Sequence, residues 1–231
     1  MAMSSKPSPR PLTTPRAAAV AGVIFALLFG AVLILIGTKM PERDTGSSEW
    51  LNSHGTGIAT ARTLMPFAGI SFLWFIGVVR DGLGRYEDKF FASVFICSGV
   101  LFLAMMFVST AVAAGLVTTS AGLTDPSPRA ETILFGKAVM LAASQTYAVR
   151  MAAVFMMSLA TIWFRTGLMP RWLVGLSYLA AVALLVATDF SMWITMAFPV
   201  WVLMVSGLLL VRAGLFEQLR AGGDEPTEPA R

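Results

Sequence analysis

The chain has 231 residues, 56% hydrophobic and only 13% charged, with 17 Lys and Arg against 13 Asp and Glu for a net charge of +4. A soluble domain carries about 25% charge, so this composition describes one membrane domain with short tails and no room for a separate soluble domain. A single cysteine (Cys97) excludes an internal disulfide or a Cys-x-x-Cys motif, and a single histidine (His54) excludes bis-histidine haem ligation.

The chain opens on a segment, residues 1–16, that holds Lys6, Arg10 and Arg16 among Ser, Thr and four prolines. This has the character of a signal-peptide n-region. The apolar run that follows, 17–38, is too long for an h-region and ends in Thr38-Lys39-Met40-Pro41, without a small-x-small cleavage site. The expectation is an uncleaved first helix behind a disordered basic cytoplasmic tail. In that run Ala18, Gly22, Ala26 and Gly30 recur every four residues, a small-residue stripe that lets another helix backbone approach closely, within the monomer or across a dimer face.

Residues 46–60 mix Trp50, Leu51 and Ile58 with Ser, Asn, His and Gly, and read as a segment lying on the membrane surface. The second run, 59–80, begins near Arg62 and contains Pro66. The 80–89 loop (Arg80, Asp81, Arg85, Glu87, Asp88, Lys89) reads as a solvated, self-neutralising turn, with a docking surface as the alternative. Cys97, in the third run (90–117), is expected to be buried. Residues 131–145 show a helical pattern leading into the fourth run, 138–165, so the third and fourth helices are expected to project beyond the headgroups. A fifth run (172–188) ends at Asp189. The sixth (191–212) contains Pro199, and residues 216–231 form a polar tail expected to be disordered. Six runs of about 20 residues match the span of a ~30 Å hydrocarbon core, and only helices or closed barrels satisfy their backbone there. The expected fold is all-α: a polytopic six-transmembrane-helix bundle.

Basic residues orient it. Eleven fall on one side (Lys6, Arg10, Arg16, Arg80, Arg85, Lys89, Arg165, Arg171, Arg212, Arg220, Arg231) and five on the other (Lys39, Arg43, Arg62, Arg129, Lys137). The positive-inside rule then places both termini in the cytoplasm of a plasma (inner) membrane protein. Arg80-Asp81-Gly82-Leu83, Arg165-Thr166-Gly167-Leu168 and Arg212-Ala213-Gly214-Leu215 share the pattern R-x-G-L at the inner ends of the second, fourth and sixth helices. A cation in the last turn followed by a left-handed glycine cap explains it, and a triplicated hairpin is the alternative. Trp163 and Trp172 are expected at the inner interface, Trp50 and Trp193 at the outer one.

Arg150 is the one charge inside a run. It lies 15 residues before Arg165, about 22 Å along a helix, hence in the outer leaflet. A charge there costs a few kcal/mol and should find a partner, a polar cavity or the headgroups. Thr146 and Tyr147 share its face. Arg62 and Asp189 fall at similar depth. Pro66 and Pro199 remove hydrogen bonds to the carbonyls of Arg62 and Thr195 and favour kinks. Together these suggest an outward-facing polar vestibule lined by Arg62, Tyr147, Arg150 and Asp189, with an anionic lipid or amphiphile as ligand. Two structural readings stand beside it: an Arg150–Asp189 pair locking two helices, or an arginine snorkelling to phosphate. No metal site or cofactor is expected. The 14 methionines read as flexible packing, and the basic excess as contact with anionic headgroups rather than nucleic acid.

The stretches Phe67–Gly84, Glu87-Asp88-Lys89-Phe90-Phe91-Ala92, Arg150–Met156 and Arg165–Trp172 together resemble a family of bacterial, often actinobacterial, membrane proteins of unknown function. The resemblance covers about residues 17–215. It implies the fold and transfers no functional residue. The functional expectation is therefore a non-enzymatic membrane protein, either an accessory subunit to another membrane protein or the binder of an anionic lipid. A small-molecule transporter is the alternative, although no acid sits at mid-depth to relay a proton. A membrane-embedded enzyme comes third, because Asp189 without a nearby histidine makes a thin acid–base set.

Overall fold

A computed structural model describes residues 14–37, 47–83, 89–122, 126–186 and 192–223. Apart from the turn at 167–170, all of these are helical, in the order α1 (Thr14–Gly37), α2 (Ser47–Leu83), α3 (Lys89–Gly122), α4 (Pro126–Leu141), a π-helical turn (Ala142–Ala148), α5 (Val149–Thr166), α6 (Arg171–Val186), a 3-10 turn (Met192–Met196) and α7 (Ala197–Gly223). Because α4, the π turn and α5 follow without a break, they form one long rod, and the chain is the expected all-α bundle of six rods. Five of them are long and apolar enough to cross a membrane, over 17–36, 56–81, 90–119, 131–166 and 194–211; α6 is apolar but shorter.

Lengths depart from the sequence reading in an informative way. Residues 47–60 do not form a separate surface segment but the first turns of α2, which at 37 residues is about 55 Å long. At the other terminus, α7 runs on to Gly223, past the expected start of the polar tail. With 34 residues, α3 reaches about 51 Å, whereas α1 has 24 residues and about 36 Å. Both α2 and α3 thus exceed a ~30 Å core by a wide margin.

Contact is most extensive between α1 and α2, then between α1 and α7; α3 lies against α2, α4 and α5, and α5 packs on α6. Backbones of α6 and α7 approach each other less, and side chains close that seam. Trp201 Nε1 donates to Ser177 Oγ (2.8 Å), which in turn donates to the Leu173 carbonyl (2.7 Å). On the other flank of α6 the Thr161 and Tyr178 hydroxyls lie 2.6 Å apart.

Phenylalanine fills the middle. Phe72 of α2 has its ring 4.5 Å from Phe25 (α1), 5.3 Å from Phe155 (α5), 5.5 Å from Phe102 (α3) and 5.8 Å from Phe198 (α7). All five side chains are buried. Edge-to-face and tilted pairs at these separations add to the dispersion gained by tight packing. In lipid, packing rather than transfer from water is what holds helices together.

The small-residue stripe divides. Ala18, Gly22 and Ala26 are buried. A Cβ placed on Gly22 would collide with Ser206 Oγ of α7 and stand 2.8 Å from Phe75 of α2, so this glycine is where α1 is gripped by two neighbours. A Cβ on Gly30 would meet nothing within 4 Å. Ser206 Oγ is itself buried with no hydrogen-bond partner among the described residues.

Three local expectations need correction. Cys97 is exposed, on the face of α3 that also carries Phe90, Val100, Leu101, Phe107 and Val108; eight residues from Lys89 it points away from the bundle, towards lipid, because the opposite face supplies Phe95 and Phe102 to the core. Trp163 is not a belt residue: it is buried with its ring 6.1 Å from Trp201, while Trp172 is exposed. Trp50 and Trp193 have side chains outside the described set. Of the R-x-G-L motifs, those at Arg80 and Arg165 place the cation in the last turn of α2 and α5, and the left-handed glycine cap is described at Gly167. Gly167 takes φ +65° and its N–H returns to the Trp163 carbonyl (3.0 Å), while Pro170 offers its carbonyl to the start of α6. Gly82 and Gly214 lie inside α2 and α7. A left-handed glycine ends a helix only where the following chain must turn back, as the four-residue link to α6 requires.

Candidate functional site

The site is built on the rod that contains Arg150. Its basic end is fixed by Arg165, whose Cζ lies 4.9 Å from the centre of the Phe91 ring at the start of α3. Moving towards the far end, α5 buries Trp163, Leu159, Met156 and Ala152, and the π turn buries Ala148, at steps of three and four residues. The next buried positions are Ala143, Met140, Gly136 and Ile133. From Ala143 to Ala148 the step is five. The exposed line makes the same step, through Ala138 and the half-buried Ala142 to Tyr147. An α-helix cannot keep both segments facing the core across a five-residue step, and a single π turn can, because it takes up one extra residue. The π turn is therefore the local answer to a phase slip in the apolar pattern. That slip, between Ala143 and Ala148, is a signal present in the sequence which a search for apolar run lengths does not register.

Side chains donate to carbonyls just before and within the π turn. The Met140 carbonyl accepts from Ser144 Oγ (2.9 Å) and from Ser109 Oγ of α3 (3.1 Å). The Thr146 carbonyl accepts from Arg150 Nη1 (2.8 Å). The arginine thus turns back along its own helix, away from the basic end. It is half-buried, and Tyr147, three residues earlier, is 58% exposed. Ser144, Gln145 and Thr146 are half-buried beside it. Four consecutive polar residues, Ser144 to Tyr147, with the cation three residues on, give the middle of the rod a polar band.

The other expected site residues fall as follows. Arg62 lies on the exposed face of α2, with Ala59, Thr63, Pro66 and Phe67. Pro66 is inside α2, which continues as a helix on both sides of it. Pro199 is buried in the first turn of α7, immediately after the 3-10 turn, where a missing N–H is least costly. Asp189, the expected partner of Arg150, lies outside the described residues. Among the described residues, no three His, Cys, Asp or Glu side chains gather where a metal ion could be held.

Near the π turn the core is thin. Ile58, Ala113 and Met140 form a small buried cluster separate from the phenylalanine core, edged by Val112, Val117 and Leu141. It joins the projecting parts of α2, α3 and α4. Leu116 sits over Gly136, where an added Cβ would lie 2.7 Å from its Cγ.

Comparison of the chain with protein-family models, with curated proteins and with solved structures gives no match in any of the three.

Proposed function

We propose that this chain is a non-enzymatic integral protein of the plasma membrane, with both termini cytoplasmic, that holds an anionic lipid or amphiphile at the polar band around Arg150. One observation carries the reading: a guanidinium set within an apolar span, turned back onto the Thr146 carbonyl, beside an exposed tyrosine. A cation carried near the end of an apolar span favours an anionic group beside it. Guanidinium is also the side chain best suited to phosphate or carboxylate, through paired N–H donors.

The alternative of a small-molecule transporter gains nothing from the centre of the bundle, which is closed by Phe25, Phe72, Phe102, Phe155 and Phe198. An accessory role towards another membrane protein is compatible with lipid binding and adds no separate requirement.

Native mass spectrometry of protein taken from nanodiscs of mixed phosphatidylglycerol and phosphatidylcholine tests the binding. The parent should retain phosphatidylglycerol, and Arg150→Gln should lose it about tenfold or more, since a hydrogen bond to a charged group contributes roughly 1.5–3 kcal/mol. Equal retention by both proteins would remove Arg150 from the account. Orientation is tested separately in a Cys97→Ser background: an impermeant maleimide added to intact cells should label a cysteine at exposed Glu131 and not one at exposed Asp81. The opposite pattern would invert the topology.

A further inference from the structure

Resting on the reading just given, we infer that the ligand is a glycerophospholipid bound through its phosphodiester by Arg150 and the Tyr147 hydroxyl, and that the extra residue of the π turn exists to present this pair and not to pack the bundle. The first argument is depth. With Arg165 and the exposed Trp172 marking the near edge of the hydrocarbon, Thr146 lies 19 residues further on, about 28 Å at 1.5 Å per residue. The Nη1 bond to the Thr146 carbonyl holds the guanidinium at that level. A core of ~30 Å ends there, so the group stands where the phosphates of the opposite leaflet lie. A lipid needs no displacement to reach it, and the exposed Tyr147 lies on the lipid side.

The second argument is the phase slip. The buried line (133, 136, 140, 143, then 148, 152, 156, 159, 163) is continuous at helical spacing on either side of a single five-residue step. Removing one residue from that step leaves every one of these positions on the core side of an uninterrupted α-helix. The fold therefore does not need the extra residue. What the extra residue adds is an outward Tyr147 placed three residues before Arg150, within reach of one phosphate.

The test is a deletion of Tyr147, compared with a deletion of Val154 in the regular part of the same rod. Deleting Val154 should abolish folded protein by size-exclusion chromatography, because it rotates all that precedes it by about 100°. Deleting Tyr147 should leave a monodisperse protein with an unchanged melting temperature, with retention of phosphatidylglycerol down about tenfold. Tyr147→Phe should lower retention severalfold without altering the melt. The parent should also retain phosphatidylglycerol over oleate, an anion of the same sign without a phosphodiester, and millimolar inorganic phosphate should not displace it. Failure of the Tyr147 deletion to fold, or undiminished retention by it, overturns the inference while leaving anionic binding at Arg150 standing. Equal retention of oleate overturns the phosphodiester assignment. Displacement by inorganic phosphate replaces the lipid with a free anion as the ligand. Absence of any anionic selectivity in the parent removes the underlying reading itself.

Discussion

Two halves of the same bundle are held together in different ways. Towards the basic end and through the middle, five helices meet in a dry core of large rings, with Phe72 against four others from four different helices. Towards the far end, three projecting helices share three buried side chains, Ile58, Ala113 and Met140, and hydroxyls bond to carbonyls across and along them. Among the described residues, most buried hydroxyls of the first half are bonded to their own helices or across the α5–α6–α7 seam, with Ser206 Oγ the exception. The second carries the cation, the π turn and the exposed tyrosine. The proposed binding region thus falls in the less tightly packed half, where binding regions are usually drawn.

The largest expected effect lies in the aromatic half. Phe72→Ala removes roughly 100 Å³ from a site with no room to collapse, and the cavity cost alone, at about 24 cal/mol per Å³, is about 2 kcal/mol. The transfer contribution seen in water-soluble cores should be small, because unpacked helices remain in lipid. Met140→Ala, at the edge of the thin cluster, should cost less than half as much. Thermal melts in detergent compare the two directly; equal losses would show that the far end is packed as tightly as the middle.

A smaller and more local contrast is set by two glycines of one stripe. Gly22→Leu forces α1 off both Ser206 and Phe75 and should cost on the order of 1–3 kcal/mol, the usual penalty of overpacking. Gly30→Leu enters open space and should be neutral. If both variants melt alike, the stripe is not what sets the approach of α1 to α2 and α7.

The fold was legible because its cause is visible in residue order. Long apolar runs dictate helices in lipid, and the runs 17–38, 90–117 and 138–165 mark the middles of real helices to within a few residues. Ends were less legible. Residues 47–60 look polar enough for a loop, yet Ile58 finds Ala113 and Met140, and tertiary contact extends α2 through them. Periodicity within a wholly apolar run is weak, so the outward aim of Cys97 and the inward aim of Trp163 could not be read from spacing. The cation at Arg150 was evident from its isolation, and Thr146 and Tyr147 from helical spacing. The π turn beside them was not, because it is a five-residue step among alanines, Ala143 to Ala148, that differs from a regular helix by one residue. A vestibule grouping Arg62 with Arg150 also depends on which way each helix face turns, and spacing alone does not fix that; Arg62 is exposed on α2.

The separation of stability from binding is tested most directly by melting three proteins, parent, Phe72→Ala and Arg150→Gln, in phosphatidylcholine alone and with phosphatidylglycerol added. A ligand present at about 100 times its dissociation constant stabilises the folded state by about 2.7 kcal/mol. The parent and Phe72→Ala, though starting from different melting temperatures, should both rise on addition of phosphatidylglycerol by the same few degrees. Arg150→Gln should start near the parent and not rise. A rise in all three proteins, or a starting loss for Arg150→Gln as large as that for Phe72→Ala with no lipid response in the parent, would contradict the account and leave Arg150 as a packing residue.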